Sequence, residues 1–500
     1  MGRNVRAVLG CVNERWAHIW LDRVANWRIW YGRASKLRFW FTYRHAHVSA
    51  VSVNRMKSPS WLVFAIALLG CGTKPPAQTC FTATSLRQAK PLAVIEDNYE
   101  AARALAGKRK VPLVVEAWAP WCHTCRSLRE VVMRDPQIVN LGDVVQFASI
   151  DVDRKENEAF LERFPIQSLP TILIFDANDD VPALKWLGAL TVEEFETLIR
   201  GRKRDDRDPF ALGDAASAVG DNQRAIRAYR MSLADLKVGS PEEARVVDSL
   251  VARLSEMGAH VECLRVARER QVALRNGTSR ANVIAAGLQS AIELEESGTD
   301  AMPELEQAAL ALARDPKAKL LADDRSALFE TVVEAMKARK ADGAALRAIA
   351  LEWSVFLEES AAHALGRAQM VFDAHRTIAY LELGEFEKAQ KMLEASVTSD
   401  PNDYNPHARL AAVHLAAGHM SEGLAAVERA LALSYGPRKL RIHKTKIELL
   451  EKSHDSRGEW NAIRVALAYA KTVKLTPRHE RLLFAWRQRE LKLAPMIGPM

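Results

Sequence analysis

The sequence predicts an α/β domain followed by an all-α array, and three observations carry that prediction. Between residues 91 and 204, short apolar runs alternate with amphipathic stretches of helical period. From residue 205 to 500 there is hardly a credible strand, and alanine, leucine, glutamate and arginine dominate. Within that second part a glycine-centred phrase recurs, with Gly384 and Gly418 34 residues apart.

Five hundred residues exceed one core and suggest about three or four units. The apolar share of 48% is that of a folded chain. The net charge of +8 would suit a polyanion, but residues 1–55 carry all of it, with ten lysines and arginines against Glu14 and Asp22. The rest of the chain is balanced, so no nucleic-acid partner is expected.

Residues 1–55 combine these charges with Trp16, Trp20, Trp27, Trp30 and Trp40 and hold no sustained period. They read either as a basic, aromatic membrane-surface segment or as an extension outside the mature protein, and the start that follows favours the second. Residues 56–70 place Lys57 ahead of a short apolar core, Trp61 to Leu69. About twenty apolar residues are needed to span a bilayer, so this core predicts a signal peptide rather than an anchor helix. Its end, Leu68-Leu-Gly-Cys71, resembles the lipobox of bacterial lipoproteins. The resemblance implies that Cys71 becomes the lipidated first residue of the mature chain in the bacterial envelope. Gly72 lacks the acidic side chain that often retains such proteins at the inner membrane, which points to the periplasmic face of the outer membrane. Residues 71–90, with Lys74-Pro-Pro-Ala-Gln-Thr79, read as a tether, and the role of Cys80 stays open.

In the 91–204 domain, Leu92, Ile95, Tyr99 and Ala102 predict a first helix, and Val111 to Ala117 a buried strand. A helix beginning at the cysteines stops at Asp135-Pro136. Strands are expected at Val144–Ile150 and Thr171–Phe175, with a helix from about Lys155 to Arg163 between them. Asp176-Ala-Asn-Asp-Asp180 signals a turn, Leu184–Leu187 an edge strand, and Val192–Ile199 a closing amphipathic helix.

Chemistry concentrates in Trp118-Ala-Pro-Trp-Cys-His-Thr-Cys125, where a strand gives way to a helix. Unpaired N–H groups and the positive dipole end favour the thiolate of Cys122, lowering its pKa below the usual ~8.5. That suits thiol–disulfide exchange. A tetrahedral metal site wants four ligands and no second cysteine pair follows, so no metal and no other cofactor is expected at this motif.

This segment, together with Ser168-Leu-Pro170-Thr171 about 45 residues on, resembles the thioredoxin superfamily. The resemblance implies that Cys122 is the exposed nucleophile and Cys125 the buried resolving thiol of a redox disulfide. It makes Pro170, after a cis peptide bond, the shaper of a substrate groove with Trp121 and His123, and gives the backbone at Leu169 a bound strand to pair with. Glu116 takes the place of the family's buried acid, and Ser149 stands where many members carry lysine, so the usual proton relay is not expected. His123, protonated, would stabilise the thiolate; it also reads as an exposed polar residue. The segment Arg129-Glu-Val-Val-Met-Arg-Asp-Pro136 is more like periplasmic disulfide-reducing domains than cytosolic thioredoxin.

In the helical region, Leu383-Gly-Glu-Phe-Glu-Lys-Ala389, Ala417-Gly-His-Met-Ser-Glu-Gly423 and Gly220-Asp-Asn-Gln-Arg-Ala225 resemble tetratricopeptide repeats. These imply a solenoid of helical hairpins whose groove takes a protein or peptide, with Val246–Gly258 and Leu346–Leu357 in degenerate hairpins. Trp353, Trp460, Trp486 and Cys263 read as core. The mixed charges of Gly201–Asp208 suit a solvated hinge.

The expected function is an envelope thiol–disulfide oxidoreductase, reductase or interchange in type, acting on cysteine-containing clients and reset by a redox partner. The rival is a non-catalytic repeat scaffold or peptide-binding lipoprotein.

Overall fold

The computed structural model describes residues 92–201 and 207–497, which fall in one compact unit running from Phe81 to Met500. The 1–55 extension, the signal peptide, Cys71, the tether and Cys80 lie outside the described residues, as do residues 202–206 of the charged segment.

Five strands make one mixed sheet: β1 (Val94–Glu96), β2 (Leu113–Trp118), β3 (Gln146–Asp151), β4 (Thr171–Phe175) and β5 (Leu184–Leu187). Their order is β1-β3-β2-β4-β5, parallel from β1 to β2 and antiparallel from β2 to β5. Val114 faces Leu128, Val132, Ile172 and Phe195, whereas Leu113 and Val115 face Tyr99, Ala106, Phe160 and Leu173. Both faces of β2 are therefore covered, which is why its sequence is a continuous apolar run instead of an alternation.

The first helix is a correction. Leu92 and Ile95 do not join it; Val94–Glu96 pairs with β3, and α1 (Tyr99–Arg109) starts only after Asn98, whose side chain accepts from Ala101 N. A three-residue strand is too short to show its period, and the i, i+3, i+7 spacing of Leu92, Ile95 and Tyr99 imitates a helix. The cysteine helix α2 (His123–Ser127) runs on through a π turn, Leu128–Val132, and Asp135 caps the short α3 (Pro136–Val139). Helix α4 (Glu158–Arg163) follows a 3-10 turn at Lys155–Asn157, and α5 (Val192–Gly201) closes the domain.

Fifteen helices follow among the described residues. The first eight are α6 (Pro209–Ala218), α7 (Asn222–Asp235), α8 (Pro241–Glu256), α9 (His260–Gln271), α10 (Thr278–Glu293), α11 (Met302–Arg314), α12 (Ala322–Ala338) and α13 (Gly343–His363). The rest are α14 (Asp373–Leu383), α15 (Phe386–Ser399), α16 (Tyr404–Ala417), α17 (Met420–Leu433), α18 (Lys439–Lys452), α19 (Ser456–Ala470) and α20 (Pro477–Ile497). They pack as successive hairpins, each cluster of the core drawing on neighbours in the chain. The repeat phrase acts as the resemblance implies. Gly384 and Gly418 end α14 and α16 in the left-handed conformation, and Ala225, Ala389 and Gly423, each five residues past the turn glycine, are buried. Trp353, Trp486 and Cys263 are core, and Trp460 packs half-buried beside Ile463 and Trp486.

The edge of the sheet at β5 is not left open. Asp214 on α6 accepts from Lys185 N at 3.1 Å, and Lys185 Nζ donates to Ser217 O at 3.0 Å. The array thus begins by docking on the sheet.

Candidate active site

In the antiparallel register of β2 and β4, Ala117 lies opposite Thr171. The chain beyond Trp118 and the residues just before Thr171 therefore share one end of the sheet. The Leu169–Pro170 peptide bond is cis, and Pro170 is buried. Four residues past the end of β2, Cys122 caps α2 and forms a disulfide with Cys125 across a Cα–Cα distance of 5.2 Å. Cys125 N donates to Cys122 Sγ at 3.0 Å, so the first sulfur takes one of the unpaired N–H groups at the helix start.

Glu116 sits on the face of β2 that α2 covers. Its Oε2 accepts from Ser149 Oγ at 2.9 Å, directly across the β2–β3 register, while Oε1 is buried with no hydrogen-bond partner. Burial pushes its pKa up to about 7, against the pull of Arg129. Arg129 supplies the positive charge that Ser149 cannot. Its guanidinium lies 3.5 Å from Glu116 Oε2, donates to Ser149 Oγ at 2.6 Å and to Glu96 at 2.7 Å, and stacks 3.8 Å over the Trp118 ring. The sequence places Arg129 seven residues past Cys122, two helical turns on, but nothing in the motif marks it as the acid's partner.

The reactive face is covered by the helical array. Cys122 is 6% exposed. Asn405 Nδ2 donates to Pro120 O at 3.1 Å, and Arg126 pairs with Asp403 at the N-cap of α16. Trp121 donates to Asp153 at 2.7 Å and lies under Arg438, whose guanidinium is 4.6 Å from its ring. Tyr435 donates to Asp151 at 2.5 Å, and Ser168, beside Leu169, donates to Glu256 at 3.0 Å. Trp121, His123 and the segment before Pro170, assigned by resemblance to a client groove, are among the residues the array touches.

His123 is not the exposed polar residue the sequence allows. Its Nδ1 lies 3.0 Å from both oxygens of the buried Asp323 on α12, and its Nε2 lies 3.1 Å from His375 Nε2 on α14. Burial works against a charge on this ring, but the Asp323 carboxylate outweighs it, and the pKa is raised above 6.5. Behind His375, Ser326 Oγ is 2.6 Å from Nδ1 and accepts from Trp353 Nε1 at 2.8 Å. Sequence reasoning missed this network. A signal was there: Asp323, Ser326 and Glu330 recur at helical spacing, a polar stripe on one face of α12 where its neighbours carry apolar residues.

Comparison with known proteins agrees with the geometry. Residues 92–200 match the thioredoxin family model. The chain is 29% identical over 125 residues to the thiol:disulfide interchange protein DsbD of Pectobacterium atrosepticum, covering 24% of this chain and 21% of that one. The like-named protein of Haemophilus influenzae is 22% identical over 196 residues, 36% of this chain and 32% of that one. Thioredoxin M4 of Arabidopsis thaliana chloroplasts is 34% identical over 89 residues, 18% of this chain and 43% of that one. The chain thus spans about a fifth to a third of the interchange proteins it matches. Among solved structures, a tetratricopeptide repeat protein from Parabacteroides merdae aligns with 56% of this chain and 96% of its own at 10% identity and a TM-score of 0.39. A yeast Sti1 TPR2AB domain aligns with 57% of this chain and 97% of its own at 13% identity and a TM-score of 0.22. Residues 92–200 are a thioredoxin domain, joined to an array of tetratricopeptide-like hairpins that closes over its cysteine pair.

Proposed function

We propose that the protein is a thiol–disulfide oxidoreductase of the bacterial envelope, reductase or interchange in type, with Cys122 as nucleophile and Cys125 as resolving thiol. The observation that carries this reading is the Cys122–Cys125 disulfide at a helix start, at the sheet end that also holds the cis-Pro170 turn. In the reducing direction the Cys122 thiolate attacks one sulfur of a client disulfide, and the other sulfur leaves as a thiolate. The Cys125 thiolate then attacks the Cys122 sulfur of the mixed disulfide. The client departs as a dithiol, and the enzyme keeps the Cys122–Cys125 disulfide until a partner dithiol reduces it. Glu116, with a pKa near neutrality, is suited to take the Cys125 proton. The lipobox-like Leu68–Cys71 and the likeness to interchange proteins support the envelope address, with a lipid anchor at Cys71 at the outer membrane. The array then serves as a cover that clients or partners must displace.

The test is a Cys125→Ser variant of the full chain, which cannot resolve its mixed disulfide. Clients should accumulate as adducts that disappear on reduction. The reading fails if no adduct forms and the wild-type pair stays oxidised at every potential applied. A scaffold with an idle disulfide is favoured by the covered face, and it predicts that a Cys122→Ser, Cys125→Ser double variant loses nothing.

A further inference from the structure

At the junction of the redox domain and the array, three acceptor atoms converge. His123 Nε2 and His375 Nε2 are 3.1 Å apart, Glu330 Oε2 is 3.1 Å from His375 Nε2, and all three groups offer ligand atoms within 4.8 Å of one another. The carboxylate behind His123 decides which of its nitrogens carries the proton, and the hydroxyl behind His375 accommodates the matching tautomer. His123 Nδ1 faces the Asp323 carboxylate, which can only accept, so the neutral ring holds its hydrogen there and turns a lone pair toward His375. His375 Nδ1 faces Ser326 Oγ, which accepts from Trp353 Nε1–H and has a second lone pair that can take an Nδ1–H, the tautomer a metal would select. With both Nδ1 atoms protonated, two lone pairs and a carboxylate oxygen point at one spot, an arrangement that a single metal ion satisfies.

We infer that His123, His375 and Glu330 bind one divalent transition-metal ion of zinc type across this junction. Arms of about 2.0–2.1 Å in a tetrahedron put neighbouring ligand atoms roughly 3.3 Å apart, close to both measured edges. Two imidazoles and one carboxylate select zinc and its neighbours over calcium or magnesium, which want oxygen shells. The carboxylate behind one imidazole and the hydroxyl–indole pair behind the other are the outer contacts such ligands use to fix ring orientation. The ion joins His123, one of the two residues between the cysteines, to α12 and α14, so it fastens the cover over the disulfide. This inference does not depend on the protein's being an active oxidoreductase.

The full chain, with Cys122–Cys125 oxidised, is stripped with a chelator and titrated with Zn²⁺ by calorimetry and with Co²⁺ by absorption. One ion per chain is expected, with Co²⁺ bands of tetrahedral intensity and no sulfur-to-cobalt charge-transfer band. Glu330→Gln, at a side chain 26% exposed, and His375→Ala should each weaken binding at least about tenfold, and Ser326→Ala by roughly 10–100-fold. Circular dichroism confirms that the variants fold; should His375→Ala unfold, Glu330→Gln decides. Failure to bind a stoichiometric ion, as when the imidazoles share only a proton, overturns the inference. So does a thiolate spectrum, or affinity unchanged in the folded variants.

Discussion

Glu116 is a carboxyl whose proton is held by its surroundings. With a folded pKa of about 7 against an ordinary 4.5, the folded chain binds this proton more tightly than the unfolded one. Its contribution to stability is therefore full below about pH 4.5 and is lost as pH rises toward 7. Glu116→Gln should flatten the fall of stability across that window by up to about 1.4 kcal/mol per pH unit, measured by denaturant titration. The same variant should erase an inflection near pH 7 in the rate at which Cys125 resolves a mixed disulfide. Arg129→Met removes a cation that lowers the pKa, so the inflection should move to higher pH. The cysteines, Pro170 and Glu116 were legible because each belongs to a short motif whose chemistry depends on neighbours in sequence. Asp323 and His375 were not, because their partners lie 200 and 252 residues away, and the polar stripe on α12 does not say what it faces.

At the scale of elements, the loops that open helices do the covering. Asn405, at the start of α16, holds Pro120 O, and Tyr435, between α17 and α18, holds Asp151. A hydrogen bond is worth about 1 kcal/mol net, so the Asn405→Ala, Tyr435→Phe double variant should enlarge the uncovered population roughly tenfold or more. Reduction of Cys122–Cys125 by a protein dithiol should then accelerate by a similar factor, and so should reduction by a small phosphine, because both reach the sulfur only when the cover lifts. Rates unchanged for both would show that covering is not what limits access. Inside the array, a Cβ on Gly213 would meet the Tyr229 ring at 2.4 and 2.6 Å. Gly213→Ala should cost about 1–3 kcal/mol by overpacking the α6–α7 crossing, seen as a lower thermal midpoint. Strands β4 and β5 were read from sequence to the residue, since turn signals bound both. Strand β1 was missed because three residues carry no period.

Across the described residues, Asp214 on α6, Glu256 on α8, Asn405 on α16 and Tyr435 beyond α17 each bond to the thioredoxin domain. Ties spread so widely along the array make separate melting of the two parts costly. Calorimetry should show one transition in which the disulfide becomes reducible as the helices melt, and two resolved transitions would contradict this. The division into an α/β domain and a helical array was visible from period and composition, but their mutual burial was not. Docking faces on a helix and on a sheet look like any other half-buried surface until the partner is in place. No helix among the described residues is long and apolar enough to cross a membrane.

The 6% exposure of Cys122 bears on chemical damage as well as on exchange. A reactive thiolate open to peroxide climbs from sulfenic to sulfinic acid, and that second step is not undone by thiols. Under the roof of α12, α14 and α16 the reduced sulfur meets oxidants only when the roof lifts, which a fitting protein can do and a diffusing peroxide cannot. For the oxidoreductase proposed above, the cover is thus a filter on oxidants: it gives up speed with small molecules and keeps the reduced sulfur usable where oxidants are present.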